Sequence, residues 1–155
     1  MRLLNMMIFA VLLAATSSFG TVEADHKDIV SLKSADGFKA TLDRLTAALE
    51  KRSLTVFAVI DHAKGARSVG LEVSPATVII FGNPKVGSPV MARNPLAGLD
   101  LPMRMLVSED RGLVQVTYRE PESLTRTWHH GQEPLPVIAK MAGALSAIAN
   151  EAAGR

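Results

Sequence analysis

The amino-acid sequence predicts a single α+β domain in which helices cover one face of one antiparallel β-sheet. Its 155 residues have room for one domain with a modest core, and no long linker or internal repeat divides the chain. Short apolar segments rich in β-branched residues recur through the middle of the sequence, each with the length of a strand. Segments with helical spacing of apolar residues stand near both ends of this series. Together these observations favour one sheet with helices packed on it.

The first half of the domain is predicted to begin with a short strand at residues 29–33, which a helix follows. Ser34 is a suitable N-cap for that helix. Its apolar residues recur at spacings of four, three and four, at Phe38, Leu42, Leu45 and Leu49. Residues 54–60 are apolar and β-branched and predict a second strand. The polar residues 61–70 then predict a connection with one helical turn.

The middle of the chain contains its most apolar run outside the N-terminus, residues 77–81, which predicts a central strand. Before this run, Leu71 and Val73 are compatible with the start of a strand that a proline interrupts. After it, residues 84–99 are rich in glycine and proline. We expect a loop there, with one short helix near residues 90–93.

The last part of the chain predicts two strands and then two helices. The strands, at residues 101–107 and 113–118, are joined by a turn at residues 110–112, and the second strand alternates as a strand with one buried face should. A short helix is expected over residues 121–129, and a longer one over residues 134–150.

The longer helix is expected to pack against the sheet through one apolar stripe. Four residues at helical spacing form this stripe: Ile138, Met141, Leu145 and Ile148. Small side chains between them are predicted to permit a close approach to the sheet: Ala142, Gly143, Ala144 and Ala147.

The N-terminus of the chain, residues 1–24, predicts a signal peptide. A short positive start precedes an almost uninterrupted apolar run at residues 3–15, which is too short to span a bilayer of roughly 30 Å comfortably. Cleavage is expected after Ala24, with Gly20 as the alternative, which leaves residues 25–155 as the domain. The protein is therefore expected to be periplasmic or secreted, and to meet the membrane only before cleavage. An uncleaved anchor helix is the alternative interpretation.

The composition argues against several classes of function. The chain has no cysteine, which excludes disulfides, thiol nucleophiles and cysteine-based zinc sites. A net charge of +2 without a cluster of basic and aromatic residues argues against a nucleic-acid partner. The histidines lack the spacings of metal-binding motifs, so no metal site is predicted. Phosphate-loop and dinucleotide-binding glycine motifs are also absent, and no cofactor is predicted.

Four segments of the chain form a combination that is hard to obtain by chance: residues 56–63, residues 81–87, Met91 and residues 99–102. Their most specific parts are the sequences Ile-Asp-His and Phe-Gly-Asn-Pro-Lys. In this order they resemble the DUF302 family, a family of unknown function, from about residue 29 to residue 151, which is essentially the whole predicted domain. The resemblance implies a β-α-β(4)-α domain of the TT1751-like type, akin to TBP-like folds, and a homodimer as partner. It implies neither DNA binding nor any catalytic residue.

Asp61 and His62 are the candidate catalytic residues, because they directly follow an apolar strand, where loops collect functional groups. A carboxylate can orient an imidazole, which accepts or donates a proton near neutral pH. The pair would then act as a general base in proton transfer or hydrolysis. The alternative is structural, with Asp61 capping the next turn and His62 making one hydrogen bond. Whether the protein is an enzyme stays open at this point.

The segment after the central strand predicts a ligand-binding site made of five residues: Asn83, Lys85, Gly87, Met91 and Asp100. Asn83 can cap the backbone or donate to a ligand, and Lys85 supplies a positive charge for an anion. A long loop in a small domain is often functional. The alternative is a structural turn, in which Asn83 bonds to its own backbone.

The sequence therefore favours an exported domain that binds a small polar or anionic ligand in a cleft under residues 82–102. Two alternatives remain: an enzyme that uses the Asp61-His62 pair, and a dimeric protein-interaction module without a small-molecule site. The binding and enzyme hypotheses share one requirement. Side chains near positions 61, 83 and 100 must gather around the same cavity.

Overall fold

The computed structural model describes residues 26–128, residue 133 and residues 135–155. The predicted signal peptide, residues 1–24, lies outside the described residues. So do residues 129 and 134, at which the short predicted helix ends and the longer one begins. The described residues form the α+β fold that the sequence predicts, with one antiparallel sheet and helices packed on one of its faces.

Five strands of the described chain form one sheet in the order β1-β5-β4-β3-β2, and every neighbouring pair is antiparallel. Each strand overlaps a segment predicted from the sequence. The bounds are Ile29–Lys33 for β1, Thr55–Asp61 for β2, Ala76–Gly82 for β3, Met103–Asp110 for β4 and Leu113–Arg119 for β5.

The α-helices of the described chain lie between the strands and after them. Their bounds are Phe38–Lys51 for α1, His62–Arg67 for α2, Pro84–Arg93 for α3, Glu122–Trp128 for α4 and Pro136–Ala153 for α5. Short 3-10 helices occur at His26–Asp28 and Pro95–Leu99. Helices α1 and α5 pack against each other and against the central strands, so they form the main layer over the sheet.

The core lies between this helical layer and the sheet. Every second residue of β3 and β5 is buried, as expected for strands with one covered face. The predicted stripe of α5 is buried, which includes Leu145 and Ile148, and α1 contributes Leu45 and Leu49. The periodicity of the apolar residues thus correctly indicated the buried face of both long helices.

Residues 84–99, which were predicted to be mainly a loop, are instead largely helical. Asn83 begins α3 as its N-cap, because its side-chain oxygen accepts a hydrogen bond from the Lys85 backbone N–H at 2.9 Å. Pro84 occupies the first turn, where a missing N–H costs nothing. Asn94 caps the following 3-10 helix in the same way, through the Leu96 N–H. The pairs Asn83-Pro84 and Asn94-Pro95 therefore begin helices, whereas Gly87 and Pro89 lie inside α3.

The predicted N-cap of α1 is also wrong. Gly37 takes the N-cap position, and no side chain caps the helix there. Ser34 is instead buried three residues earlier, where its hydroxyl lies 2.6 Å from the Thr41 hydroxyl. A buried hydroxyl needs a hydrogen-bonding partner, and this pair satisfies both groups.

Three of the four small residues of α5 that were expected to permit a close approach to the sheet are not buried against it. Gly143, Ala144 and Ala147 are exposed. The buried small side chains are further along the helix, at Ala149 and Ala152. The predicted strand start at Leu71 and Val73 is likewise absent from the described chain, where both residues are exposed outside the sheet.

Candidate functional site

A cavity of about 470 Å³ lies where the end of β3 leads into α3. One wall comes from Phe57 of β2, the end of β3 and the start of β4, a second from α3, and a third from α5. We call this cavity the α3–α5 pocket. Its location follows from the topology: α3 leaves the sheet beside β4, and α5 returns across the same face after β5.

The walls of the α3–α5 pocket are predominantly apolar. The sheet contributes Phe81 and Met103, and α5 contributes Met141 and Leu145 from its buried stripe. Met91 comes from α3, so three methionines line one cavity. Methionine is unbranched and adaptable, and it is common at surfaces that accept ligands of variable shape.

Glycines keep part of the wall free of side chains. Gly87 lines the pocket from the interior of α3, and a Cβ atom built there would meet only Leu101 Cδ1, at 3.8 Å. A glycine inside a helix costs roughly 1 kcal/mol relative to alanine. The backbone of Gly87 does not have a positive φ angle that would require glycine. The missing side chain therefore leaves space for the pocket at a cost in helix stability.

Three polar side chains are found among the lining residues. Asn83 and Ser88 belong to the start and the middle of α3, and Lys140 belongs to α5. The side-chain oxygen of Asn83 is engaged by the Lys85 N–H, which leaves its amide NH₂ group to donate to a ligand. Lys140 is exposed and is the one charged residue among those lining this cavity in the described chain.

The profile of the DUF302 family, described as a domain of unknown function, matches residues 30–151. This is nearly the whole of the domain that contains the pocket. The chain belongs to the DUF302 family.

Curated relatives of this DUF302 domain include two proteins named fluoride-specific ion channel FluC 1. They come from Brucella suis biovar 1 (strain 1330) and Brucella abortus biovar 1 (strain 9-941), and each is 33% identical over 127 residues. The match covers 81% of this chain, but 50% and 47% of the respective relatives. The chain thus spans about half the length of the curated relatives it matches. Among its described residues, no helix is both long enough and apolar enough to cross a membrane.

A solved structure of a DUF302 protein from Bacillus stearothermophilus has the same fold. The two structures superpose with a TM-score of 0.70 over 81% of this chain and 98% of the other, at 20% sequence identity. At this identity the comparison supports the architecture alone. It agrees with the single antiparallel sheet and the helices described above.

The structure places three of the five predicted ligand-binding residues of the DUF302 domain in the lining of the α3–α5 pocket. These are Asn83, Gly87 and Met91. Lys85 is exposed and does not line the pocket, although its neighbours Pro84 and Val86 do. The Lys85 ammonium therefore belongs to the surroundings of the pocket rather than to its wall.

Asp100, the fifth predicted residue, lies outside the pocket lining and has structural partners. Its carboxylate accepts a hydrogen bond from the Trp128 indole N–H at 2.8 Å and lies 3.8 Å from the Arg104 guanidinium. Asn94 donates to the Trp128 carbonyl at 2.8 Å. These contacts join the 3-10 helix after α3 to α4 and β4, and so they support the outer side of the α3 segment.

The predicted pair Asp61 and His62 does not meet Asn83. In the antiparallel register, Asp61 lies opposite Thr77 and Thr55 lies opposite Gly82. Asp61 and Asn83 are therefore at opposite ends of the β2–β3 pair, separated by roughly 20 Å along the strands. The expected gathering of positions 61, 83 and 100 around one cavity is wrong.

Asp61 instead performs the structural role that was the alternative. It is the N-cap of α2, where its carboxylate accepts a hydrogen bond from the Lys64 N–H at 2.8 Å. His62 is the first residue of that helix and is exposed. Neither residue lines the α3–α5 pocket. A catalytic role for the pair stays a prediction without support from a shared cavity.

Sequence reasoning missed Lys140, the charged residue of the pocket. Lys140 lies about 100° around α5 from Met141, and Ala144, which also lines the pocket, is one turn further along the same side as Lys140. A lysine that borders an apolar stripe is ordinary for the edge of a packed helix. The sequence therefore contained no signal that separates it from other surface lysines. Among the described residues, no group of three acidic or histidine side chains is arranged to hold a metal ion.

Proposed function

We propose that this DUF302 domain is an exported binding module that takes a small molecule into the α3–α5 pocket. The observation that carries the proposal is the apolar cavity of about 470 Å³. Small-molecule sites typically have volumes of roughly 300–1,000 Å³, apolar walls and a few polar groups that orient the ligand. The interior glycine of α3 supports the same conclusion, because the helix gives up stability where a side chain would occupy the pocket.

The character of the walls refines the ligand that the sequence predicts. A small polar or anionic molecule was expected, whereas the lining favours a mainly apolar body. Asn83, Ser88 and Lys140 offer polar contacts to one part of such a ligand. The proposed ligand therefore has an apolar body and at least one polar group.

The name of the curated relatives makes fluoride a ligand to consider, and the chemistry of the pocket argues against it. A small, strongly hydrated anion needs hydrogen-bond donors that replace its lost water. The α3–α5 pocket offers mainly hydrocarbon and thioether surface instead. We propose that fluoride is not the ligand of this pocket, and it serves as a control anion in binding experiments.

The experiment that tests the pocket compares two glycine variants. Gly87→Leu fills the cavity from the α3 wall, so binding of a neutral apolar probe such as 1-decanol should be lost in isothermal titration. Gly143→Leu is the matched control, because it introduces the same side chain at an exposed helical position with nothing within 4 Å of the new Cβ atom. The proposal is contradicted if the wild type binds no apolar probe, or if Gly87→Leu binds as well as the control.

Export is the second part of the proposal, and it is supported by the N-terminal sequence. A positive start, an apolar run and small residues near Ala24 are typical of a cleaved signal peptide. N-terminal sequencing of protein from the periplasm or medium should begin at Asp25. Protein that retains Met1 in the membrane fraction would indicate the uncleaved anchor instead.

A second candidate function is self-association, and one specific observation favours it. β2 is an edge strand of the sheet, and four of its apolar side chains are between 39% and 59% exposed: Val56, Phe57, Val59 and Ile60. Edge strands in soluble proteins are usually protected by lysine, proline or a covering element. Residues 53–60 contain no charge and no proline. A second copy could pair with this edge around a twofold axis without opposing like charges.

Sedimentation of the mature protein tests self-association. Val59→Lys places a charge in the centre of the exposed edge and should convert a dimer to a monomer. Leu99→Lys is the control, because Leu99 is a similarly exposed apolar residue away from β2. A wild-type protein that sediments as a monomer at all concentrations would contradict the proposal.

A further inference from the structure

The α3–α5 pocket is lined by a positive charge and by no negative charge in the described chain. Lys140 is its charged lining residue in the described chain, and no acidic residue lines it. Lys140 makes no hydrogen bond or ion pair with any residue that the structure describes, whereas Lys39, Lys51 and Arg52 on α1 each pair with a carboxylate. The ammonium of Lys140 is therefore available to a ligand.

The neighbourhood of the pocket reinforces this positive charge. Lys85 lies on the first turn of α3 between two lining residues and forms no ion pair within the described chain. The carboxylate of Asp100 is adjacent in sequence to the lining residue Leu101. It contacts Trp128 and Arg104 outside the pocket lining. An anionic group in this pocket would meet Lys140 and no lining carboxylate, with Lys85 in the surroundings of the pocket.

The volume of the pocket limits the size of the ligand. A water-sized group occupies roughly 30 Å³ in the condensed phase, so a cavity of about 470 Å³ holds at most roughly sixteen non-hydrogen atoms. The walls are contributed largely by aliphatic and thioether side chains such as Met103, Met141 and Leu145. Adaptable walls of this kind suit a flexible chain better than a rigid polar ring system.

From this combination we infer that the pocket binds a medium-chain aliphatic carboxylate, with the chain between α3 and α5 and the carboxylate at Lys140. Saturated carboxylates of eight to twelve carbons contain ten to fourteen non-hydrogen atoms, which matches the volume. This inference rests on the proposed function of the same pocket, and it adds the charge and the length of the ligand.

The test measures the preference for a charged over a neutral ligand of equal length. Decanoate, below its micelle concentration, and 1-decanol, below its solubility limit, are titrated into the mature protein at pH 7.5. Decanoate should bind roughly tenfold more tightly than decanol, because a charge-assisted contact forms at a partly dry pocket mouth. Higher ionic strength should reduce this preference, since the contact is close to solvent.

Two lysine variants of equal net charge identify the group that recognises the carboxylate. Lys140→Gln should remove most of the preference for decanoate while leaving the affinity for decanol unchanged. Lys64→Gln is the control: Lys64 is an exposed lysine on α2, outside the pocket lining, and this variant should retain the preference. Thermal unfolding of both variants shows whether a change in affinity arises from a loss of folding.

The outcomes separate this inference from the proposal on which it rests. Equal binding of decanol and decanoate, or an unchanged preference in Lys140→Gln, overturns the carboxylate and leaves the apolar pocket in place. Affinity that rises steadily from eight to sixteen carbons overturns the proposed length, because a cavity of limited volume should favour an intermediate chain. If neither decanoate nor decanol binds the wild type, both the inference and the proposed function fail.

Discussion

The two halves of the covered sheet face differ in how they are filled. Under α1 and the C-terminal part of α5, Leu45, Val107 and Val116 are completely buried. Under α3 the same face borders the α3–α5 pocket. α5 has 18 residues and seven of them are buried, whereas the ten residues of α3 include one buried side chain, Val90.

This difference separates residues that stabilise the domain from residues that shape the site. In the packed half, each apolar side chain fills space that its neighbours cannot fill, so its removal creates a cavity. In the α3 half, a cavity already exists, and a shorter side chain enlarges it without removing the same number of contacts. Substitutions in the two halves should therefore divide into losses of stability and changes of binding.

The largest effect is expected from one pair of truncations. Leu45→Ala removes a completely buried side chain of α1 and should lower the free energy of unfolding by about 3 kcal/mol. Met91→Ala removes a half-buried wall residue of the pocket and should cost less than about 1.5 kcal/mol. Urea denaturation of both variants measures the difference. Equal losses would show that the α3 half is packed as tightly as the α1 half.

A smaller effect of opposite sign is expected at Gly87. Alanine is a better helix former, and the new Cβ atom would meet Leu101 at an ordinary contact distance of 3.8 Å. Gly87→Ala should therefore raise the free energy of unfolding by up to about 1 kcal/mol, while it weakens binding of a pocket ligand. Gly143→Ala should give a similar gain without any change in binding, because its Cβ atom enters open space. A Gly87 variant that binds ligand unchanged would remove Gly87 from the site.

Local patterns in the sequence were sufficient to predict most of the fold. The strands and the two long helices follow from the alternation and helical spacing of apolar residues, since these periods depend on the backbone geometry of each element alone. The prediction failed where the first residue of a helix, or the side of the chain that is buried, depends on residues outside that segment. Ser34 is an example, because its burial beside Thr41 depends on how α1 packs. The helical form of residues 84–99 was missed because asparagine and proline begin helices as readily as they form loops.

The candidate site was less predictable because a cavity is a property of several elements at once. Asn83, Gly87 and Met91 share one short helix, so local sequence brings them together. The remaining walls come from β4 and from α5, which is separated from α3 by more than forty residues. The strand order in the sequence already argues against a contact between Asp61 and Asn83, because the C-terminal ends of consecutive antiparallel strands point in opposite directions.

The smallest effect concerns the exposed contact between α5 and the end of α1. Glu151 on α5 accepts hydrogen bonds from Arg52 at 2.8 Å and from Lys51 at 3.3 Å, both on α1. These hydrogen bonds, that of Arg52 first, lower the pKa of the Glu151 carboxyl below its ordinary value of 4.5. A lowered pKa in the folded state means that folding favours the carboxylate. The resulting stabilisation is present above the ordinary pKa and is lost as the pH falls through the folded one.

Glu151→Gln should therefore lower the Tm slightly at pH 7, and the difference from the wild type should vanish as the pH falls below the folded pKa. Because the groups are at least partly exposed, high salt should reduce the same difference at pH 7. Glu50→Gln is the control, since Glu50 is exposed on α1 and forms no ion pair within the described chain. A Tm difference for Glu151→Gln that persists in acid would mean that the glutamate side chain contributes by packing, and the α1–α5 contact would then owe nothing to its charge.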